Sequence, residues 1–303
     1  MSSNPPIKHH FIAQFLLSAW AGPDGKLWRF TNPWMNNFAA KHVAPAELGY
    51  EKYLYTTPDD PPECAQQIEQ ELMALLDDRA ATAHQMLLDG EIDAMDRRER
   101  SAWSRFIMSL WFRTPDGVRG LKDATAALLG IDDTQFAEAY QARRQPGYPA
   151  TWAEAVAKMG PHLADRAAMH VLRQQVDNPT NGQRLNDMHW AVLDVAGPRN
   201  LMVSDAVLAQ TSAIFGPEGY VAMPISPQRL FFAARNRARL DAFKGLAPAT
   251  IVTLINHAVV RRARNFVGAT VRAEIDFVRA NFASDLRSGL PELLARKYEA
   301  AAA

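Results

Sequence analysis

Apolar residues in the central part of the chain recur every three to four positions, which is the spacing of amphipathic helices. The residues at this spacing are Ile68, Leu72, Leu75 and Leu76, and then Trp103, Phe106, Ile107, Leu110 and Trp111. The pattern predicts a helical region from residue 63 to about residue 129, interrupted where Thr114-Pro115-Asp116-Gly117 ends a helix. It also predicts helices over 118–130, 133–144 and 151–176, and a loop at the polar segment VDNPTNGQRLND.

Short apolar runs punctuated by glycine and proline replace the helical pattern after residue 187. These runs are HWAVLDVA, NLMVS, GYVAMPIS and RLFFAAR, and they are rich in valine, isoleucine and aromatic residues. Such runs predict three or four antiparallel strands. Helical spacing returns in PATIVTLINHAVVRRA, and two further helices are predicted over 271–283 and 286–299.

The N-terminal part of the chain admits two interpretations. The segment FIAQFLLSAW ends at the Pro-Asp-Gly turn signal of AGPDGK, and the short run LWRF follows. Two aromatic-rich runs around a tight turn predict a β-hairpin with His9 and His10 at its start. A helix is nearly as well supported, because Phe11, Phe15 and Ala19 share one helical face.

The order of these elements predicts an α+β fold. It comprises an N-terminal strand or hairpin segment, a large helical block, a small mainly antiparallel sheet and C-terminal helices. With 48% hydrophobic residues, the chain has enough apolar material for a sizeable core. We expect residues 1–303 to form a single domain, with an extended segment over 1–62, the helical block over 63–176, and the sheet with the terminal helices over 187–303.

The charge balance and the cysteine content narrow the class of protein. Lysine plus arginine and aspartate plus glutamate both number 33, so the formal net charge is zero. This argues against coating nucleic acid or membrane through bulk charge, although a local basic groove is compatible with it. The N-terminus lacks a signal-peptide pattern, no apolar run reaches the roughly 18 residues that span a bilayer, and Cys64 is the single cysteine. We therefore expect a cytoplasmic protein without an intrachain disulfide. The sequence does not indicate its oligomeric state.

The adjacent histidines His9 and His10 are the first candidates for chemistry. Successive residues on a strand point to opposite faces, so a regular strand would direct only one of the two into a site. That histidine could be a metal ligand or a base, while the other would orient it, face solvent or lie in the flanking loop. The alternative is a polar lead-in to the first element.

Ser204 and Asp205 follow the apolar run NLMV. A carboxylate at the end of a strand can bind a metal or act as a base from a rigid platform. The alternative is a turn or a helix cap, which is the commonest use of this residue pair in loops.

Basic residues occur at two further places. Asn256 and His257 lie on a predicted helix with Arg261, which shares a face with His257 and could bind an anion. Arg113 and Arg119 flank the turn in FRTPDGVRG. A solvated basic face is the alternative interpretation for both places.

Several segments, taken in order, resemble the bacterial domain of unknown function DUF4238. Its members typically begin His-His-aromatic-x-Pro-Gln-Phe-x-Leu, and the matching residues here are His9, His10, Phe11, Gln14, Phe15 and Leu17. YEKYLYTTP resembles an aromatic segment of the family, FRTPDGVR an Arg-x-Pro stretch, NLMVSDAVL a Thr-Ser-Asp-Asn-Pro motif, MPISPQRLFF a later strand, and INHAVVRRARNFVGA the closing helix. The resemblance spans nearly the whole chain and implies no activity, since the family has none assigned.

Two departures from the family pattern bear on the candidate site. Ala13 replaces the usual proline, and Ala206-Val207 replace Asn-Pro after Ser204-Asp205. If those residues shape a catalytic turn, this chain is altered or specialised there.

Two functional hypotheses follow. In the first, His9, His10, Gln14 and Ser204-Asp205 form a buried polar network in a non-catalytic binding or interaction protein of unknown partner. In the second, the chain is a metal-dependent phosphodiesterase or nuclease-like hydrolase. Its catalytic residues are then His10, Asp205 and Gln14, its divalent-metal ligands His9, His10 and Asp205, and its substrate-binding residues Arg113, Arg119, Asn256 and Arg261.

Overall fold

The computed structural model of the chain describes residues 7–32, 38–57, 67–130 and 134–286. Its helices are α1 (Gln14–Ser18), α2 (Ala74–Leu88, which continues a π-helical turn at Ile68–Met73), α3 (Arg97–Leu110), α4 (Pro115–Gly130), α5 (Thr134–Arg143), α6 (Trp152–Met159), α7 (Leu163–Val176), α8 (Pro179–Asn186), α9 (Arg237–Lys244), α10 (Pro248–Arg261) and α11 (Ile275–Asn281). Its strands are β1 (Lys8–His10), β2 (Leu27–Thr31), β3 (Ala39–Val43), β4 (Tyr50–Lys52), β5 (His189–Asp194), β6 (Val203–Ser204), β7 (Ala209–Gln210), β8 (Tyr220–Ser226), β9 (Arg229–Ala234) and β10 (Val267–Ala269).

The helical block follows the predicted pattern with two local differences. The loop predicted at 176–187 is wrong, because the Asn178 side chain caps helix α8, whose first residue is Pro179. The helix predicted over 151–176 is two helices, α6 and α7. Gly160 separates them with a φ of 84°, a conformation that disfavours other residues, and Pro161 follows it.

The N-terminal segment forms a strand and a helix, so the predicted hairpin is wrong and the helical alternative is confirmed. Strand β1 pairs antiparallel with β4, while β2 pairs with β3. Helix α1 forms because Ile12, Leu16 and Trp20 recur at helical spacing and all three are fully buried. A strand would also place these three residues on one face, but it would direct Leu17, which is equally buried, to the opposite face from Leu16.

The longer strands lie in two four-stranded antiparallel sheets. The strand orders are β3-β2-β10-β6 and β5-β9-β8-β7. Three of the predicted runs form β5, β8 and β9 of the second sheet, as expected. The fourth run, NLMVS, contributes β6 to the first sheet, where Val203 and Ser204 pair with β10.

The second sheet lies between two layers of side chains, which explains its nearly continuous apolar strands. Alternate residues such as Met223 and Phe231 join a core cluster with the helical block, including Trp103. Their neighbours, such as Phe232, join a second cluster with Ile255 of helix α10. The sheet thus separates the helical block from the C-terminal helices.

These layers confirm the predicted α+β class. The assignment of the whole chain to a single domain stays a prediction. Cys64 and, apart from Leu286, the helix predicted over 286–299 lie outside the described residues. No helix in the described part of the chain has, by itself, both the length and the apolar character needed to cross a membrane.

Candidate functional site

His9 lies at the centre of strand β1 and is fully buried. Its Nδ1 accepts a hydrogen bond from the backbone N–H of Tyr55 at 3.1 Å. The two rings are stacked, with centroids 5.5 Å apart. His9 therefore joins the N-terminal strand to the segment that follows β4.

His10 points away from His9, as strand alternation predicts, and is half-buried. Burial lowers the pKa of its imidazole below the ordinary value, although a hydrogen bond with the backbone of Ala46 opposes that shift. Its Nε2 is buried and finds no hydrogen-bond partner among the described residues. Its backbone carbonyl accepts a hydrogen bond from Arg113 at 2.8 Å.

Arg113 is the buried cation beside these histidines, with 0% of its side chain exposed. Its guanidinium donates two hydrogen bonds to the Asp77 carboxylate, at 2.7 and 2.8 Å, and contacts Ser109 Oγ at 3.3 Å. Burial alone would lower the pKa of Arg113, but the Asp77 carboxylate raises it above the ordinary value. Arg113 thus links the α3–α4 connection to β1 and α2, and it presents no exposed surface to a phosphate.

Glu69 belongs to the same buried cluster, and its role was not apparent from sequence spacing. Burial raises the pKa of its carboxyl from 4.5 to about 7, against the opposing influence of Arg113. Its Oε2 has no hydrogen-bond partner in the described part of the chain. The phenol of Tyr55, whose pKa burial also raises, donates to the Arg113 carbonyl at 3.0 Å. We call His9, His10, Tyr55, Glu69, Asp77 and Arg113 the buried ionic cluster.

Asp205 lies in a separate environment. Its carboxylate accepts backbone hydrogen bonds from Arg264 at 3.1 Å, Asn265 at 3.0 Å and Phe266 at 3.3 Å. The Asn265 side-chain amide donates a further bond at 2.9 Å. Burial raises the pKa of Asp205 and these hydrogen bonds oppose the increase. The carboxylate holds the turn that precedes β10.

Ser204 shapes the turn at 204–206 and joins it to helix α10. Its Oγ donates to the Val259 carbonyl at 2.8 Å and accepts from the Ala206 N–H at 3.0 Å. The geometry therefore matches the turn interpretation of the Ser204-Asp205 pair.

The metal-site hypothesis gains no support from these positions. Asp205 is enclosed by the 264–266 turn, whereas His10 contacts the Arg113 side of the buried ionic cluster. The described residues include no group of three or more histidine, cysteine, aspartate or glutamate side chains that could hold a metal ion.

The other predicted site residues are dispersed. Gln14 is exposed at the first position of α1. Arg119 is exposed and pairs with Asp116 at 2.8 Å. Arg261 lies at the end of α10, with its Nε 3.3 Å from Ser284 Oγ.

Asn256 has a clear structural contact. It is fully buried on α10, where its Oδ1 accepts from the Met202 N–H and its Nδ2 donates to the Asn200 carbonyl, both at 2.9 Å. The side chain thus satisfies the hydrogen-bonding capacity of two backbone groups next to β6. This structural role accounts for the buried asparagine without the predicted contact to a substrate.

A cavity of about 770 Å³ opens beside the Asp205 turn. Its walls come from 110–112, 114, 116–117, 205–208, 210–216, 262 and 264–265, together with Gln175, Asn181 and Arg184. Trp111, Phe112 and Phe215 supply aromatic surface. The Trp111 ring is oriented by a hydrogen bond from its Nε1 to Gln210 Oε1 at 2.8 Å.

The α3–α4 connection separates the cavity from the buried ionic cluster. Phe112 and Thr114 line the cavity, whereas the Arg113 side chain between them lies in the cluster. The Arg-x-Pro stretch and the Ser204-Asp205 turn, both part of the family resemblance, therefore meet at the cavity wall.

Arg184 is the cavity residue that sequence reasoning missed most completely. It lies on α8, in the segment predicted to be a loop, and its guanidinium is 4.6 Å from the centre of the Phe215 ring. The available signal was the Asn178-Pro179 pair, a helix-start pattern that places Asn181 and Arg184 on one face.

The fold and this site define an α+β protein with a ligand-sized cavity between its helical block and the turn that precedes β10. The chain belongs to the family described as a protein of unknown function, DUF4238, which matches residues 8–271. No curated protein and no solved structure matches the chain significantly.

Proposed function

We propose that the chain is a non-catalytic binding protein that holds a small organic ligand in the cavity beside the Asp205 turn. The observation that carries the proposal is the cavity itself, whose volume of about 770 Å³ lies in the range of known small-molecule sites.

The chemistry of the cavity wall supports this function. Such sites combine apolar and aromatic surface with a few polar groups that orient the ligand. Trp111, Phe112 and Phe215 provide the first component. The side-chain amides of Gln175 and Asn181 provide the second component. Neither amide is hydrogen-bonded to another described residue, so both can contact a ligand.

The environment of the acidic residues favours binding over hydrolysis. Asp205 already accepts three backbone hydrogen bonds and one from Asn265, so its oxygens are engaged in holding the wall. Asp116 pairs with Arg264 at 2.8 Å. The hydrolase alternative would need a free carboxylate or a metal-ligand group, and neither observation supplies one.

A cavity-blocking substitution tests the proposal. Ala213 lines the cavity but is itself exposed, so a tryptophan there can occupy the opening without entering the core. We expect Ala213→Trp to weaken binding of the fluorescent probe 8-anilinonaphthalene-1-sulfonate by at least about tenfold, because the ring occupies the volume that the probe needs. The measurement is a fluorescence titration at constant temperature.

The matched control is Ala242→Trp, at an exposed alanine on α9 that does not line the cavity. Near-ultraviolet circular dichroism and cooperative thermal unfolding establish that each variant keeps the native packing. Equal probe affinity for the wild type and both folded variants would contradict a binding role for this cavity.

A further inference from the structure

The cavity wall carries more positive than negative side chains. Its arginines are Arg184, Arg262 and Arg264, and its acidic residues are Asp116 and Asp205. Which of these groups can bind a ligand depends on whether each already has a partner within the protein.

Most of these charges are already satisfied within the protein. Arg264 contacts the Asp116 carboxylate at 2.8 Å, and Arg262 donates to the Leu208 carbonyl at 3.1 Å. Asp205 is saturated by the N–H groups of the 264–266 turn. These groups shape the wall, and each would lose a partner if it turned toward a ligand.

Arg184 differs from the other two arginines. Within the described part of the chain its side chain makes no ion pair and no hydrogen bond, and its guanidinium lies over the Phe215 ring. Stacking restrains the guanidinium without using its N–H donors, which stay available for the oxygen atoms of an anionic group. Among the described residues that line the cavity, Arg184 is therefore the arginine whose guanidinium is engaged by neither a carboxylate nor a carbonyl group.

The groups next to Arg184 suit the rest of an anionic ligand. Asn181 lies one helical turn before it on α8, and Gln175 lies near the end of α7, so amide donors are present on the same wall. Aromatic rings line the cavity at Trp111 and Phe215. An acidic group with an apolar or aromatic body would contact both kinds of surface.

We propose that the ligand is an amphiphilic anion whose carboxylate, sulfonate or phosphate group is bound by Arg184 and whose apolar body packs against the aromatic wall. This inference rests on the proposed binding function and adds the chemical class of the ligand and the residue that selects it.

Two probes that share a ring system and differ by one anionic group test the inference. 8-Anilinonaphthalene-1-sulfonate and N-phenyl-1-naphthylamine share one ring system, and the first carries a sulfonate that the second lacks. The key variant is Arg184→Met, which keeps an unbranched side chain over Phe215 and removes the charge. We expect it to weaken binding of the sulfonate probe by about tenfold or more, as for a lost charge-assisted hydrogen bond, and to change the neutral probe's affinity less than about twofold.

Two further variants make the result specific. Arg184→Lys should recover part of the sulfonate affinity, because it restores the charge without the planar fork. Arg237→Met removes an exposed arginine that pairs with Asp241 on α9, and it should change neither affinity.

The outcomes separate the two proposals. If Ala213→Trp blocks both probes but Arg184→Met affects them equally or not at all, the cavity binds ligands and the anion assignment is wrong. If Ala213→Trp leaves both affinities unchanged, or if neither probe binds the wild type, the binding function and the anion assignment are both overturned.

Discussion

The guanidinium of Arg113 connects parts of the chain that are far apart in sequence. It donates hydrogen bonds to Asp77 on α2 and to the carbonyl of His10 on β1. The Tyr55 hydroxyl donates to the backbone carbonyl of Arg113. Removing one partner of a buried ion pair leaves an uncompensated buried charge, which is strongly destabilising. At the scale of residues, the histidines that open the chain therefore belong to a structural cluster held by Arg113.

Glu69 gives this cluster a pH dependence that can be measured. Because its pKa rises from 4.5 to about 7 on folding, the folded state keeps a proton that the unfolded state releases in this range. The contribution of Glu69 to wild-type stability should therefore fall as pH rises from about 4.5 to 7. Glu69→Gln cannot lose that proton, so it should match the wild type near pH 4.5 and exceed it by about 1–3 kcal/mol at pH 8.

Unfolding of both proteins by guanidinium chloride between pH 4.5 and 8 measures the difference in their free energies of unfolding. The groups that interact electrostatically with Glu69, namely Arg113, Asp77 and Tyr55, are unchanged in the variant, so their titration cancels in the comparison to first order. A constant stability difference across this range would show that burial does not shift the pKa of Glu69.

At the scale of elements, the segment between β7 and β8 forms one wall of the cavity. Ile214 and Phe215 from this segment pack against the larger core cluster. Its end is closed by Gly219, whose N–H donates to the Gly216 carbonyl at 2.9 Å and whose own carbonyl accepts from Arg235 at 2.9 Å. The segment is held by backbone contacts that leave no room for a side chain at Gly219.

Substituting Gly219 tests how this wall is held. A Cβ atom there would lie 1.8 Å from the Ile214 carbonyl oxygen and 2.8 Å from that of Ala213, so the backbone must move. We expect Gly219→Ala to destabilise the protein by about 1–3 kcal/mol and to weaken probe binding, because Ile214 and Phe215 shift. Gly197→Ala, where the nearest atom is 3.8 Å away, serves as the control in the same urea unfolding and fluorescence titrations. Identical behaviour of the two variants would refute the role of close packing at Gly219.

At the scale of the whole molecule, the β5-β9-β8-β7 sheet lies between two core clusters, and a few contacts join them. Trp20, fully buried just after α1, belongs to the cluster with the helical block. Its Nε1 donates to the carbonyl of Leu201 at 2.8 Å, and Leu201 belongs to the other cluster. This bond fixes the N-terminal helix against the segment before β6.

Trp20→Phe tests that connection. The substitution removes the donor and leaves the Leu201 carbonyl buried without this partner, which costs about 1–3 kcal/mol before the loss of ring volume is added. The urea midpoint should fall accordingly. Trp28→Phe, on β2 where the residue is half-buried and stacked on His42, should cost less. A midpoint for Trp20→Phe equal to that of Trp28→Phe would mean that the bond to Leu201 adds no stability.

The accuracy of prediction varied with how local each feature is. The helical stripe of Trp103, Phe106 and Leu110 predicted α3 correctly, because apolar periodicity is written into neighbouring residues. The opposite directions of His9 and His10 followed from strand geometry in the same way. The α8 helix was not predicted, because its mostly polar residues give no apolar periodicity and the Asn178 cap alone was read as part of a loop.

The candidate site was less accessible to prediction. Ser204 and Asp205 were identified, but their alternatives could be separated only once the 264–266 turn was seen to surround the carboxylate. Arg113 was predicted to bind substrate because a guanidinium suits a phosphate, and its burial against Asp77, which is distant in sequence, could not be foreseen.

The sequence by itself determined the α+β class, most helices and strands, and the family to which the chain belongs. These features depend on local backbone periodicity and on motifs read in order along the chain. The cavity, the burial of Arg113 and the place of Arg184 in the cavity wall were decided by the tertiary structure alone. The cavity and Arg184 lie where α8, the segment after β7 and the turn before β10 meet, whereas Arg113 is buried against β1 and α2. In both places, long-range packing sets the partners and the solvation of each side chain.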